Sequence, residues 1–451
     1  MVATDSALRS AGPAAAGPAD RGDLHPGIWP LTARAVADGG ILVGGVALTE
    51  IAARYGTPAY VLDEDDVRRR CRRYRDALPD AEVAYASKAF LCRAMARWVD
   101  EEGLSLDVCS EGELAVAISA GFPAERIVLH GNAKTPGDLR AAMACGVGRI
   151  VVDSAGEIAR IAALAQPRQR VLVRVTPGVD AHSHPTVTTG VEDQKFGLSL
   201  SSGAAADALR RILAQPELEL VGLHCHLGSQ ITETEAFEVA ARKLVGLMAA
   251  VYAEHGMILP ELNIGGDYGV PYPEEDQDFD LTGFAGRIRA TVRGACASLR
   301  LPVPRLTFEP GRAIISRAMV TLYRVVSIKQ VGLRTFVAVD GGMSDNPRPA
   351  LYGARYLVCA AGRPMVATQP VTVVGRHCEA GDVLATDVAL PAGMRPGDLL
   401  AVACTGAYNH SMASNYNLVG RPPVVAVRDG AARLLVRRET TSDMRERDVG
   451  L

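Results

Sequence analysis

Lys88 sits where an apolar, β-prone run, Val83 to Ala86, gives way to a helical pattern. A lysine at a strand's end, facing a cleft, gives up its proton when desolvated and condenses with an aldehyde. Most lysines are solvated surface residues, so Lys88 alone decides nothing. It gains weight from the residues at the ends of the later apolar runs. Those runs lead into Cys109-Ser110, His130-Gly131-Asn132, Asp153, Arg174, His224 to Gln230, Gly265-Gly266 and Glu309-Pro310-Gly311-Arg312. One polar loop residue is chance. Polar or ionisable residues at nearly every strand end point to one mouth lined for a polar ligand.

The residue types suit a phosphorylated aldehyde. Glycine pairs let backbone N–H groups approach a phosphate, and a serine hydroxyl adds a donor. Gly265-Gly266, Ser229 and Gly311-Arg312 are candidates for that cup. A Gly-Gly pair after a strand is, taken separately, more often only a turn. His226 offers a flat imidazole to stack on an aromatic ring; a structural histidine is its bland alternative. Glu309, at the end of the last strand, is placed to hold a pyridine nitrogen protonated, which makes the ring an electron sink for a carbanion. The alternative for Glu309 is a salt bridge to Arg312.

The elements that must position these residues alternate between strand and helix from residue 81 to 310. The strand candidates are Val83–Ala86, Leu104–Val108, Ile127–Leu129, Ile150–Val152, Val171–Val175, Leu218–His226, Glu261–Ile264 and Leu306–Glu309. Helical patterns cover Leu91–Glu102, Glu111–Gly121, Pro136–Cys145, Ala155–Ala165, Ala204–Gln215, Glu233–His255 and Leu281–Leu299. Such units fit a parallel (β/α)8 TIM barrel, in which chemistry belongs at the C-terminal ends of strands. A doubly wound open sheet competes, but no G-x-G-x-x-G turn follows the first strand. Ser110 with Glu113 resembles a capping box.

After Arg312 the pattern changes to strands with turns between them: Ala318–Val331, Thr335–Val339, Pro370–Val374, Leu399–Ala403, Pro423–Val427 and Ala432–Arg437. This reads as an all-β domain. The expected division is a disordered tail at 1–22, a segment 23–62 joining the β domain, a barrel at 63–312 and the β domain at 313–451. Within the second segment, strands are expected at Ile41–Val46 and Ala59–Leu62. Thr49 would cap the helix between them, and Gly56-Thr57-Pro58 would end it. The charged run Asp63 to Arg75 reads as an exposed helix face.

Composition narrows the partners. A chain of 451 residues, 48% hydrophobic, has enough apolar surface for more than one core. Its net charge of −3, without a basic block, argues against nucleic acid. No apolar run reaches the roughly 18 residues of a membrane helix, and no signal pattern opens the chain. Nine scattered cysteines without a C-x-x-C pair fit reduced thiols in the cytoplasm. His182/His184 and His224/His226 form H-x-H pairs, but further ligands at zinc spacing are lacking, so no metal is expected.

With these residues in view, the chain resembles the fold-type III, pyridoxal-phosphate-dependent decarboxylases over about residues 40 to 440. Tyr85-Ala86-Ser87-Lys88-Ala89 is similar to the family's cofactor-lysine motif. His224-Cys225-His226-Leu227-Gly228-Ser229-Gln230 is similar to its H-x-H-[IL]-G-S-Q, and Glu309-Pro310-Gly311-Arg312 to its E-P-G-R. Three matches fall in the β domain: Asp340 to Tyr352, His377-Cys378-Glu379-Ala380-Gly381-Asp382, and Gly406-Ala407-Tyr408 leading into Met412 to Asn417.

The resemblance implies pyridoxal 5'-phosphate as cofactor and removal of carbon dioxide from meso-2,6-diaminopimelate, giving L-lysine. It implies that Lys88 carries the cofactor and that His226 stacks on its ring. Ser229, Gly266, Glu309, Pro310, Gly311, Arg312 and Tyr408 complete the cofactor site. Arg312, Arg348 and Tyr352 would take the substrate's carboxylate, Glu379 its distal ammonium, and Tyr408 would touch substrate as well. Cys378 is implied as the catalytic acid, delivered in a homodimer to the neighbour's barrel. Otherwise it is a small buried hydrophobe. The alternatives are a relative acting on another basic or D-configured amino acid, or a non-catalytic homologue. Two departures stand out. Asp267 replaces the family's third glycine, and a carboxylate there must point away, pair with a cation or weaken phosphate binding. His182-Ser183-His184-Pro185-Thr186 lacks the acidic or aromatic residue expected after its second histidine.

Overall fold

The computed structural model describes residues 24–25, 27–165, 168–180, 190, 194–231, 233–266, 268–272 and 278–450. Asp267, the 182–186 loop and the 1–22 tail lie outside the described residues.

Eight parallel strands close on themselves. They are β1 (Glu82–Ala86), β2 (Ser105–Val108), β3 (Ile127–Leu129), β4 (Arg149–Val152), β5 (Gln169–Thr176), β6 (Leu218–His224), β7 (Glu261–Gly266) and β8 (Arg305–Glu309). Closure is by β8 against β1, with Thr307 opposite Glu82. A two-residue strand, Leu198–Ser199, adds beside β5. Strand alternation layers the interior. At the base, Arg149 bonds Glu82 through both terminal nitrogens, at 2.9 and 2.8 Å, and meets Glu261 at 2.7 Å. Above it, Val128, Val151, Leu172 and Val221 form a small apolar cluster apart from the main core. Two residues further along, the strands or the loops after them present His130, Asp153 and Arg174; a register shift at Leu220/Gly222 sets His224, three residues on from Val221, opposite Arg174. The strand-end signal in the sequence is therefore one interior layer of the barrel.

The second large sheet is built around β9 (Met319–Val331). Met319 to Leu322 pair with Ala59–Asp63, Thr321 to Arg324 pair with Leu399–Val402, and the far half pairs with β10 (Arg334–Val339). Val424–Arg428 lies parallel to Ala59–Asp63, carrying an early strand into the late sheet. Ile41–Val43 does not join it. That strand pairs with Arg34–Ala35 and Val46–Ala47 in a separate sheet. Gly44 O accepts from Gly430 N at 2.8 Å, so this small sheet leans on the turn after Val424–Arg428. Two strands had no apolar signal strong enough to read: Val358–Ala361 and Val383–Pro391. The first alternates small residues, and the second is half exposed at a sheet edge.

Local expectations fare unevenly. Gly56, at φ +72°, does end the first helix, Leu48–Tyr55, but Thr49 lies inside it rather than capping it. Ser110 Oγ accepts from Glu113 N at 3.2 Å, while Glu113 reaches back to Cys109 N at 2.7 Å, one residue short of a capping box. The charged run is a helix, Glu64–Ala77, but it is not simply exposed. Asp63, Glu64, Asp66 and Arg70 are buried. Asp66 pairs with Arg70 at 2.6 Å, and Glu64 gathers Arg68, Arg428 and Arg433. Buried charges persist because they are paired. All nine cysteines are free thiols. Among the described residues no helix is long and apolar enough to cross a membrane.

Candidate active site

The turn after β1, Ser87–Ala89, lifts Lys88 out of the packed strand, and its side chain is exposed. The β domain clasps this turn: Tyr408 N and Ser411 Oγ both donate to Ala89 O at 2.9 Å. Tyr408 does so in the left-handed region, at φ +65°. The strain is held by the contact, a pattern that clusters at ligand sites.

Glu309 ends β8 as a fully buried carboxylate. Asn263 Nδ2 donates to its Oε1 at 2.6 Å, His130 Nε2 lies 2.8 Å from the same oxygen, and His224 Nε2 lies 3.2 Å from Oε2. The carboxylate thus faces two imidazoles and an amide rather than Arg312. Burial opposes its charge, but His130 and His224 outweigh burial and hold the carboxyl well below the ordinary range. The two histidines divide the work. Burial pulls His224 down to about 4 despite Glu309. Burial also opposes charge on His130, yet Asp107 and Glu309 outweigh it and raise that group. Burial pushes Asp107 up to about 6, with Glu309 adding to the rise and His130 opposing it.

Gly265 adopts φ +74°, and a Cβ there would sit 2.9 Å from His226 Nδ1. Only glycine lets His226 lie flush against this turn. Gly266 N lies 3.4 Å from His226 Nδ1, and a Cβ on Gly266 would collide with Glu309 O at 1.8 Å. The glycine pair thus first serves close strand packing. Arg312 donates to Tyr272 Oη at 2.8 Å and to Ser229 Oγ at 2.7 Å, and its guanidinium lies 4.7 Å from the Tyr408 ring centroid. Arg348 is buried, donates to Tyr356 Oη at 2.7 Å, and among the described residues has no carboxylate within ion-pair distance.

Cys378 and Glu379 are exposed. Cys378 N donates to Asn417 Oδ1 at 3.1 Å, and Glu379 Oε1 accepts from Gly381 N at 3.3 Å. Within the chain this segment is therefore tied to its own domain's loops. Tyr352 is also exposed. The structure gathers Lys88, His226, Ser229, Gly266, Glu309, Arg312 and Tyr408 around the mouth and leaves Cys378 and Glu379 on the surface.

Sequence reasoning gave no role to Asn263, Tyr272, Tyr356 or Asp107. The signal for Asn263 was available: it is a polar residue between Leu262 and Ile264, on the inward phase of a strand. Nothing in the sequence marks Tyr272 or Tyr356.

The loop carrying Arg348 is fixed by Asp345. Tyr323 Oη donates to its carboxyl, Gly342 N donates at 3.0 Å, and Tyr60 Oη donates to its backbone oxygen. Burial pushes Asp345 up to about 7, against the hydrogen bonds from Tyr323 and Gly342, with Asp382 and Asp340 adding to the rise. Between its ordinary value of 3.8 and about 7, the folded state keeps a proton that the unfolded state releases. This group therefore favours folding fully at the acid end, and its contribution is lost as pH rises through that window. The slope is about 1.4 kcal/mol per pH unit. Asp345→Asn should remove it, so the variant gains on the wild type between pH 5 and 7. Urea unfolding at both pH values checks this; parallel profiles would refute it.

Known proteins place this geometry. The model for the pyridoxal-binding domain of pyridoxal-dependent decarboxylases matches residues 64–316, which include the whole barrel. A diaminopimelate decarboxylase of Actinosynnema pretiosum is 60% identical over 429 residues, covering 94% of this chain and 96% of that protein. The Mycobacterium tuberculosis diaminopimelate decarboxylase is 48% identical over 440 residues, covering 94% and 98%. Among solved structures, a diaminopimelate decarboxylase of M. jannaschii in complex with L-lysine superposes with a TM-score of 0.88 at 32% identity, covering 94% of this chain and 98% of that one. A lysine/ornithine decarboxylase of Vibrio vulnificus with putrescine gives 0.72 at 26% identity, covering 85% and 97%. The chain belongs to the diaminopimelate decarboxylase family of pyridoxal-dependent decarboxylases.

Its cofactor is pyridoxal phosphate. The mouth suits that group. Glu309 supplies a buried anion for a pyridinium, Lys88 an amine at the rim, and His226 a flat face beside a glycine turn.

Proposed function

We propose that this protein removes carbon dioxide from meso-2,6-diaminopimelate and releases L-lysine. The observation that carries the substrate reading is the pair of buried guanidiniums, Arg312 and Arg348, beside the mouth. Arg348 meets phenols and no acid among the described residues, so its charge is available to an incoming carboxylate. A simple diamine has no carboxylate to offer there.

When bound, pyridoxal phosphate supplies an aldehyde that links to amines and a ring that takes up the electrons left by departing carbon dioxide. Lys88 would present the amine that carries it, and Glu309 would supply negative charge for the ring nitrogen. His226 would offer its flat face to the ring, while Ser229, Gly266, Pro310, Gly311 and Arg312 would hold the phosphate and ring. Arg312, Arg348 and Tyr352 fix the substrate's distal carboxylate, Glu379 its distal ammonium, and Tyr408 touches both partners. Cys378 would donate the proton that replaces carbon dioxide at Cα. Because Cys378 and Glu379 are exposed and tied to their own loops, a second copy of the chain brings them to the mouth, in a homodimer. The strand pairings support a barrel unit at 63–312 and a β unit at 313–451 that takes in the strand Ala59–Asp63. Free thiols throughout support a cytoplasmic setting.

The test is carbon dioxide release from meso-diaminopimelate against ornithine, arginine and lysine. Diaminopimelate should be preferred by orders of magnitude. Arg348→Ala should raise KM for diaminopimelate roughly 10- to 100-fold, the worth of a charge-assisted carboxylate contact. Its effect on ornithine should be small. Equal losses on both would sink the carboxylate role.

A further inference from the structure

We infer that Tyr272 is a positioning residue that spaces the two guanidiniums of the substrate pocket, and through them sets selectivity for a substrate with a second carboxylate. This rests on the reading of Arg312 and Arg348 as carboxylate ligands.

Tyr272 is 6% exposed, and it meets both arginines with different parts of one side chain. Its hydroxyl oxygen accepts from Arg312 Nη1 at 2.8 Å. Its ring face lies 4.8 Å from the Arg348 guanidinium carbon. Tyr356 backs this arrangement, with its ring edge-on to Tyr272 at 5.3 Å and its oxygen accepting from Arg348 at 2.7 Å and from Asn409 at 3.3 Å. Two buried cations so close repel each other and are costly to desolvate. The Tyr272 phenol meets both cations. Its oxygen lone pair attracts one cation and its π face the other, while its net charge stays zero. The guanidiniums are thereby aimed and kept apart.

The test uses holoenzyme and heptanedioate, a diacid of the substrate's chain length without its amines. Calorimetry gives its Kd for wild type, Tyr272→Phe, Tyr272→Leu and Arg348→Ala; KM and kcat for diaminopimelate and the visible spectrum of the bound cofactor accompany it. Tyr272→Phe keeps the ring face and loses the acceptor, so Kd and KM should rise about tenfold. Tyr272→Leu loses both, and the rise should approach about a hundredfold. In both variants kcat should stay within about threefold and the spectrum should not move, because Lys88 and Glu309 are untouched. Changes in Kd below twofold in both variants, with Arg348→Ala still weakening heptanedioate, would overturn the spacing role alone. Losses falling equally on kcat and the spectrum would overturn it in favour of a packing role. Heptanedioate binding unmoved by Arg348→Ala would overturn the carboxylate reading, and this inference with it.

Discussion

Lys88→Ala protein should release carbon dioxide at least about 10³-fold more slowly than wild type, the scale expected when a group that bonds the reactants and moves protons is removed. It should also lack the violet-edge absorption of the wild type. Borohydride reduction should fix the cofactor to one wild-type peptide, the one containing Lys88, and to none in the variant. The other lysines make this discriminating. Lys134 is buried, with Nζ held by Glu157 at 3.0 Å and by Gly131 and Val151 carbonyls. Lys243 donates to Pro177 and Gly178 carbonyls, and Lys329 lies on β9 of the second sheet. Lys195 is the serious competitor, since it lies 5.0 Å over Phe196, whose ring also meets Arg174 in the mouth layer. A reduced adduct on the Lys195 peptide would show that the site is misassigned. A colourless wild type that yields no adduct would favour the non-catalytic homologue.

Lys88→Ala and Cys378→Ala, each inactive alone, should complement when unfolded and refolded together. Each chain keeps Lys88 in its barrel and displays Cys378 on its β domain. Leu351, Tyr352, Met412, Tyr416 and Leu418 are exposed on the same domain, and Leu418 reaches 76%. These side chains are available to the contact that the proposed homodimer requires. In the proposed homodimer a two-fold interface would be reciprocal, so each barrel would receive the partner's Cys378 segment while its own chain lends the equivalent one. In a mixed dimer one site then collects both defects and the other collects none. Random pairing makes about half of the dimers mixed, so roughly a quarter of all sites should be intact. If each chain completes its own site, every site carries one defect and mixing restores nothing. Carbon dioxide release by the mixture, with mixed dimers confirmed by mass, decides between these outcomes. No recovery would leave Cys378 acting within its own chain or not acting.

Much of the candidate site was legible because of how a parallel barrel is built. Its strands are apolar runs, and its working residues come directly after them in the chain, so Lys88, His224, His226, Glu309 and Arg312 were each visible at a boundary between apolar and polar. The barrel strands were legible for the same reason, to within a few residues at their ends. The edge strand Val383–Pro391 was not, because its alternation is broken and its burial is partial. The helix Glu64–Ala77 misled for an opposite reason. Its charges suggest water, but the pairing of Asp66 with Arg70 and of Glu64 with Arg428 and Arg433 lets them be covered.

The order of residues along the chain already carries the alternation of strand and helix, the switch to β structure after Arg312, and the residue types at the mouth. These are local properties: period, run length and the residue at a run's end. It takes the folded barrel to show that Glu309 meets His130, His224 and Asn263 rather than its near neighbour Arg312. Only the tertiary structure brought Tyr408 onto the Lys88 turn and Tyr272 between two arginines. These partners lie tens to hundreds of residues apart. Which of them touch is set by barrel closure and by where the second sheet docks, and no pattern within a strand or helix encodes that.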